Sequence, residues 1–238
     1  MSLVLSVYVR EGIVMAADSR LTLTFPPDAA GRTLSLAMSD SAKKLFLAPN
    51  NIGIATFGSA DINGMPIAGF LDSFIVERLK GKELSTQAVT EELKVYFKDI
   101  GVRPNTMFHV SGYEKVEDRF EQFVFQVDPA ADSIVRLNPA NMQGVNWGGE
   151  IDVLQRLLND VALIQDPHPP ARFPSFGIPF EFFTLQDAID FCVYGIRSTI
   201  ETLRFQSREK TVGGPIDVLV ITPDSSMWIS QKQLVVSD

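Results

Sequence analysis

Three residues near the start of the chain, Ser2, Asp18 and Lys44, are of types that could together perform nucleophilic chemistry. Ser2 follows Met1 directly, and removal of Met1 would leave a hydroxyl and a free α-amine on one residue. An α-amine titrates at about pH 7.7–8.0, so a useful share of it can accept a proton at neutral pH. Serine needs such a base, because its hydroxyl is a weak nucleophile on its own. One residue supplying both groups makes a catalytic histidine unnecessary, in a chain with only two, His109 and His168. An ammonium from Lys44 would favour the serine alkoxide and lower the proton affinity of the amine, and an Asp18 carboxylate would keep that lysine charged and oriented. Backbone N–H groups around Phe57-Gly58 could bind a developing oxyanion, a contribution of about 3–4 kcal/mol per donor. The same residues also have plain structural readings. A strand-end aspartate is often a turn residue, and a Lys-Lys pair often guards a sheet edge.

The elements that must position these groups are legible as patterns. Leu3–Val9 and Ile13–Ala17 read as a hairpin turning at Glu11-Gly12, which brings Val4 near Asp18-Ser19. Residues 25–41, with Pro26-Pro27 and Gly31, read as a loop or loosely paired ribbon. Lys44–Ala48 and Ile52–Phe57 form a second hairpin closed by Gly58. Helical spacing runs from Asp61 to Leu79, and Ser85 caps a second helix that ends at Gly101. Strands follow at Thr106–Tyr113, Phe120–Val127 and Ser133–Leu137, then a helix from about Gly149 to Ile164. Asp166–Pro179, with five prolines, reads as an extended loop. Thr184 and Asp187 open the longest helix, reaching about Gln206, and the chain closes with strands Ile216–Thr222 and Trp228–Val236. Strands in hairpins and helices in pairs predict an α+β fold, a four-layer αββα sandwich of two antiparallel sheets flanked by helix pairs. The expected organisation is a single domain over 1–238 with insertions around 25–41 and 165–183.

Composition sets the outer bounds. The chain has 238 residues, 45% hydrophobic and 21% charged, with a net charge of −8. The acidic balance and the absence of a Lys/Arg cluster speak against nucleic-acid binding. A single cysteine, Cys192, rules out an intrachain disulfide and any multi-cysteine metal site, and two histidines rule out a multi-histidine centre. No cofactor and no metal are expected. No leader pattern and no span-length apolar run occur, so the expected compartment is the cytoplasm, with no membrane partner. The G-x-S-x-G elbow, the phosphate loop, the dinucleotide fingerprint and H-E-x-x-H are all missing.

The residues around the candidate nucleophile resemble the proteasome β-subunits and the related bacterial ATP-dependent peptidase, both N-terminal nucleophile (Ntn) hydrolases. Gly12-Ile13-Val14-Met15-Ala16-Ala17-Asp18-Ser19-Arg20 is similar to their second strand, and Lys43-Lys44-Leu45-Phe46 to their K-K-[VI] segment. Gly53–Asp61 is similar to their G-x-x-[AS]-G-G-x-x-D turn, and Gly213–Val218 to their late S-G-G strand; Thr106-Met107 with Gly112-Tyr113 resembles the strand between. Counting back from Asp18 places Ser2 at the family's N-terminal threonine without a gap.

The resemblance implies an Ntn fold and a peptidase that cleaves amide bonds of peptide or protein substrates. It also implies a homo-oligomeric ring, with an ATPase or regulator as a further partner. It makes Ser2 the nucleophile, Asp18 and Lys44 its electrostatic support and the Phe57 N–H the oxyanion donor, with Gly58 in the same turn. Arg20, Ala55 and Ser59 would belong to the substrate pocket. Gly148, Glu209 and Val212 stand where the family has a supporting serine, an aspartate and a second serine. Those departures keep a second reading open, a non-catalytic subunit or scaffold that retains the fold without the activity.

Overall fold

The computed structural model describes residues 2–25, 31 and 35–233. Its first hairpin joins β1 (Leu3–Val9) to β2 (Gly12–Ala17), with Val4 opposite Ala17 and Val9 opposite Gly12. Every residue of both strands is buried, which is why they read as near-continuous apolar runs rather than as clean alternation. A short ribbon follows, β3 (Leu21–Thr24) against β4 (Ser35–Ser39). Of this pairing only β4 falls inside the 25–41 stretch expected to be a loop or loosely paired ribbon, of which residues 26–30 and 32–34 lie outside the described residues. Next come β5 (Leu45–Ala48), β6 (Ile52–Gly58) and a minimal ribbon of β7 (Asp61–Ile62) with β8 (Met65–Pro66).

That ribbon replaces the first turn of the helix expected from Asp61. Asn63 and Gly64 both adopt positive φ (52° and 77°) to reverse the chain, and Pro66 caps α1 (Ile67–Phe74). The helix continues through one π-helical turn, Ile75–Leu79. Ser85 caps α2 (Thr86–Asp99) by accepting the Ala88 N–H, as its sequence signal predicts. Then follow β9 (Thr106–Val116), β10 (Arg119–Asp128), β11 (Ser133–Arg136) and β12 (Gly144–Gly149).

The helix expected over 149–164 is only half present. Helix α3 (Asp152–Leu158) stops at Asn159, and Val161–Gln165 turns into strand β13, paired with β14 (His168–Phe173) in the proline-rich stretch. Val161, Leu163 and Ile164 satisfy helical and strand spacing equally well, and this ambiguity is inherent in short apolar runs. The Thr184–Asp187 capping box opens α4 (Leu185–Phe205), and β15 (Asp217–Ile221) and β16 (Ser226–Ser230) close the described chain. The last three residues of the strand expected to reach Val236 lie outside it.

The fold class is α+β, with two five-stranded antiparallel sheets ordered β12-β1-β2-β15-β16 and β11-β10-β9-β6-β5. Three apolar clusters hold these elements together. One joins β1, β2 and β15 to α4 through Leu5, Val14, Val220, Cys192 and Ile196. A second joins the other sheet to α1 and α2 through Phe46, Phe74, Phe97 and Phe108. The third draws on both sheets, with Val4, Met15 and Leu219 packed against Leu45, Phe57 and Val124. Burial at about 25 cal/mol per Å² of apolar surface makes these clusters the main stabilising contribution. They also fix where the ends of β1, β2, β5 and β6 meet. No helix among the described residues is long and apolar enough to cross a membrane.

Candidate active site

Asp18 is the hub of the candidate site. It follows β2, is fully buried, and its two oxygens accept four hydrogen bonds. Oδ1 accepts from Lys44 Nζ at 2.7 Å and from the Leu3 N–H at 2.9 Å. Oδ2 accepts from the Gly213 N–H at 3.0 Å and the Arg20 N–H at 3.1 Å. The turn-residue reading therefore covers only the bond to Arg20, and the other three reach distant segments. Lys44 is only 4% exposed, so this is a buried ion pair whose carboxylate has its lone pairs satisfied, the condition under which such a pair can be kept. Burial holds the Lys44 ammonium below its ordinary pKa, with Asp18 acting in the opposite direction. An edge-guarding lysine would be exposed, and Lys44 is not. Its neighbour Lys43 is the exposed one, paired with Asp72 at 2.7 Å.

Ser2 sits beside this pair and is almost fully buried. The peptide that follows it is clamped from both sides: the Ser2 carbonyl accepts the Glu150 N–H at 2.8 Å, and the Leu3 N–H is held by Asp18. Met1 lies outside the described residues. Ser2 and Lys44 line the same cavity of about 320 Å³, together with Thr56, Phe57, Ser59 and Ala60.

Strand parity turns the Phe57 and Gly58 N–H groups to opposite sides of β6. Thr56 donates its N–H to the Lys44 carbonyl at 2.9 Å, so its polar groups face β5, and Ser59 donates to the Asn105 carbonyl at 2.8 Å on the β9 side. Backbone N–H groups alternate sides along an antiparallel strand. The Phe57 N–H therefore points to β9, opposite Met107, and the Gly58 N–H points to the Lys44 side, where no backbone acceptor among the described residues meets it. Gly58 has φ of +107°, and a Cβ there would lie 2.7 Å from the Asn105 carbonyl oxygen, so only glycine fits.

The cavity lining differs from the expected pocket. Ala55 is fully buried in the inter-sheet cluster and does not line the cavity; Thr56 does. Ser59 lines the cavity. Arg20 does not. Its guanidinium grips Asp40 through two bonds of 2.7 and 2.8 Å, donates to the Lys210 carbonyl, and lies against Gly213. Their hydrogen bonds raise the Arg20 pKa and lower that of Asp40.

The supporting positions also differ from expectation. A Cβ on Gly148 would fall 2.4 Å from the Phe57 ring, so the aromatic side chain occupies the space that a hydroxyl residue would need. Behind it, the Phe57 ring meets His109 edge-on at 5.0 Å. His109 is fully buried, contacts the Ser6 hydroxyl at 3.3 Å through Nδ1, and is pushed down to a pKa of about 4 by burial. Val212 is buried in the apolar cluster under α4 and offers no polar atom. Glu209 is half-buried, with no hydrogen bond to its carboxylate among the described residues. The carboxylate anchored here is that of Glu150, which accepts from the Thr211 hydroxyl at 2.9 Å and from Arg208 at 3.1 Å.

Glu150 and Thr211 carry no motif that sequence reasoning could have used. The signal for Thr56 was available: counting strand parity from Lys44 would have found it. Cys192 lies on the buried face of α4, where burial raises its thiol pKa far above the ordinary range, so it is no nucleophile. Among the described residues no cluster of three or more His, Cys, Asp or Glu side chains is arranged to hold a metal ion. No protein-family model matches the sequence, and no curated protein is significantly similar to it.

Proposed function

We propose that this protein is an amide-bond hydrolase resembling the proteasome β-subunits, with Ser2 as its N-terminal nucleophile once Met1 has been removed. The observation that carries this reading is the buried Asp18–Lys44 pair, formed where β2 and β5 meet beside Ser2 and tied to the Ser2–Leu3 peptide by the same carboxylate. A turn aspartate or an edge lysine needs no such burial.

In the proposed reaction the Ser2 oxygen attacks the substrate carbonyl carbon while its proton passes to the α-amine. The tetrahedral oxyanion forms against the Gly58 N–H, with Lys44 supplying positive potential. Collapse breaks the C–N bond, and the ammonium returns its proton to the departing amine, leaving an ester on Ser2. Water then attacks that ester, with the amine again accepting the proton; the bond from the acyl carbon to the Ser2 oxygen breaks, the ammonium returns its proton to that oxygen, and the acid product leaves.

The arrangement of the three apolar clusters supports reading the architecture as a four-layer αββα sandwich. On this reading α4 and α3 cover one sheet and α1 and α2 the other. The family resemblance extends the proposal to peptide or protein substrates and to assembly as a homo-oligomeric ring, served by an ATPase or regulator.

One observation favours the non-catalytic alternative. The Phe57 ring fills the notch at Gly148, so no hydroxyl from that position can polarise the amine. A peptide epoxyketone or boronate decides between the two readings. The hydrolase reading expects intact mass to show loss of Met1 and one adduct on Ser2, absent from Ser2→Ala. A chain that retains Met1, or that stays unlabelled after its removal, establishes the scaffold.

A further inference from the structure

A second buried ion pair lies near the first. Asp217 opens β15, is 2% exposed, and binds both ends of one residue: it accepts from the Lys232 N–H at 2.8 Å and from the Lys232 ammonium. Lys232 follows β16 between two exposed residues, yet its own side chain is only 10% exposed. Strand register explains the direction it takes. Asp217 stands opposite Ala17, and directly opposed residues of an antiparallel pair share a face. Ala17 belongs to the apolar cluster between the sheets, as do Leu219 and Ile221 further along β15 and Leu45 next to Lys44. The carboxylate therefore draws Lys232 inward, toward the start of β5. A lysine that served only to tie down the end of the chain could do so at the surface, where an ion pair carries little desolvation cost. The charges that meet at Lys44 come from several elements. Burial disfavours its ammonium most, Asp18 after β2 and Asp40 after β4 favour it, and the positive charge of Lys232 opposes it. Ser2, before β1, adds an α-amine once Met1 is gone.

We propose that Lys232 is a positioning residue of the candidate site: held by Asp217, it sets the positive potential at Lys44 and, through Lys44, at Ser2. The consequence for catalysis rests on Ser2 being the nucleophile; the effect on Lys44 does not. The test follows both. The ε-methylene NMR signals of Lys44, assigned with Lys44→Arg, are titrated with pH in the unsubstituted protein, in Lys232→Met and in Lys232→Arg. The pH dependence of Ser2 labelling by a peptide epoxyketone is measured in the same three proteins.

Lys232→Met should move the Lys44 midpoint up by about one pH unit, the size of effect that a nearby like charge exerts. The labelling midpoint should move the same way, because the α-amine also holds its proton more tightly once the positive potential falls. Lys232→Arg keeps the charge and should leave both midpoints in place. A Lys44 midpoint that stays put in Lys232→Met, or that moves as far in Lys232→Arg, overturns the proposal and leaves Lys232 as a simple tie for the chain end. If Lys232→Met does not fold, the double variant Asp217→Asn, Lys232→Gln, which drops both charges and keeps a hydrogen-bonding pair, decides by the same upward shift or its absence. A shifted Lys44 midpoint with no labelling of Ser2 in any of the proteins overturns the hydrolase reading and leaves this one standing. Labelling with an unmoved Lys44 midpoint does the reverse.

Discussion

His109 should make the fold acid-sensitive in a way that a single substitution removes. The imidazole is fully buried between the sheets, and burial alone holds it down at a pKa of about 4 against an ordinary 6.5. In the unfolded chain it takes up a proton as pH falls through 6.5, whereas in the folded chain it stays neutral until about 4. Between those values the unfolded state binds more protons, so stability falls as the solution is acidified, by up to about 1.4 kcal/mol per pH unit. Across the whole window the loss is about 3 kcal/mol, a large share of the 5–15 kcal/mol typical of a domain. His109→Leu removes the titrating group. It also removes the contact with Ser6 and the edge-on contact with Phe57, which gives a constant offset. Urea unfolding of both proteins from pH 7 to pH 4 separates the two effects. The remaining titratable groups are common to both proteins and cancel in the difference. That difference should move by about 3 kcal/mol in favour of the variant as pH falls. A difference that stays flat to within about 0.5 kcal/mol, the usual spread for independent sites, would refute the account of His109.

Three further outcomes follow from the site. Removing one partner of the buried pair, by Lys44→Met or Asp18→Asn, should cost about 3–5 kcal/mol in chemical denaturation and abolish labelling of Ser2. Gly148→Ser should cost about 1–3 kcal/mol through its clash with the Phe57 ring. Combining it with Phe57→Ala should recover part of that loss, and simple additivity in a double-mutant cycle would show that the two positions do not touch. Gly58→Ala must place a Cβ against the Asn105 carbonyl at positive φ, so thermal unfolding should show about 1–3 kcal/mol of destabilisation. Labelling of Ser2 should fall with it, because the displaced N–H is the proposed oxyanion donor.

Much of this geometry was legible in the sequence where one local signal was enough. The flanking apolar runs marked the β1–β2 hairpin, but its turn lies at Arg10-Glu11 rather than Glu11-Gly12, so Val4 faces Ala17 instead of Asp18-Ser19; that register carries Asp18 to the start of β1. Ser85 and the Thr184–Asp187 pair marked two helix starts through their own cap chemistry. Legibility failed where two periods fit equally well or where partners are distant. Val161–Ile164 could be helix or strand until Asn159 ended α3. The family resemblance points to Ala55, whereas the residue that lines the cavity is its neighbour Thr56. The grip of Arg20 on Asp40, and of Glu150 on Thr211, joins residues 20 and 61 positions apart with no pattern between them.

The four bonds to Asp18 have a consequence for how the chain matures. They reach across separations of 2, 15, 26 and 195 residues, so the carboxylate is complete only when a late segment has docked onto the first hairpin. Closing so long a loop is among the slower and less reversible events in assembly. A partly folded chain would thus hold its lysine without the Gly213 bond that completes the carboxylate, and whatever chemistry Ser2 performs would be withheld until the whole polypeptide has found its shape.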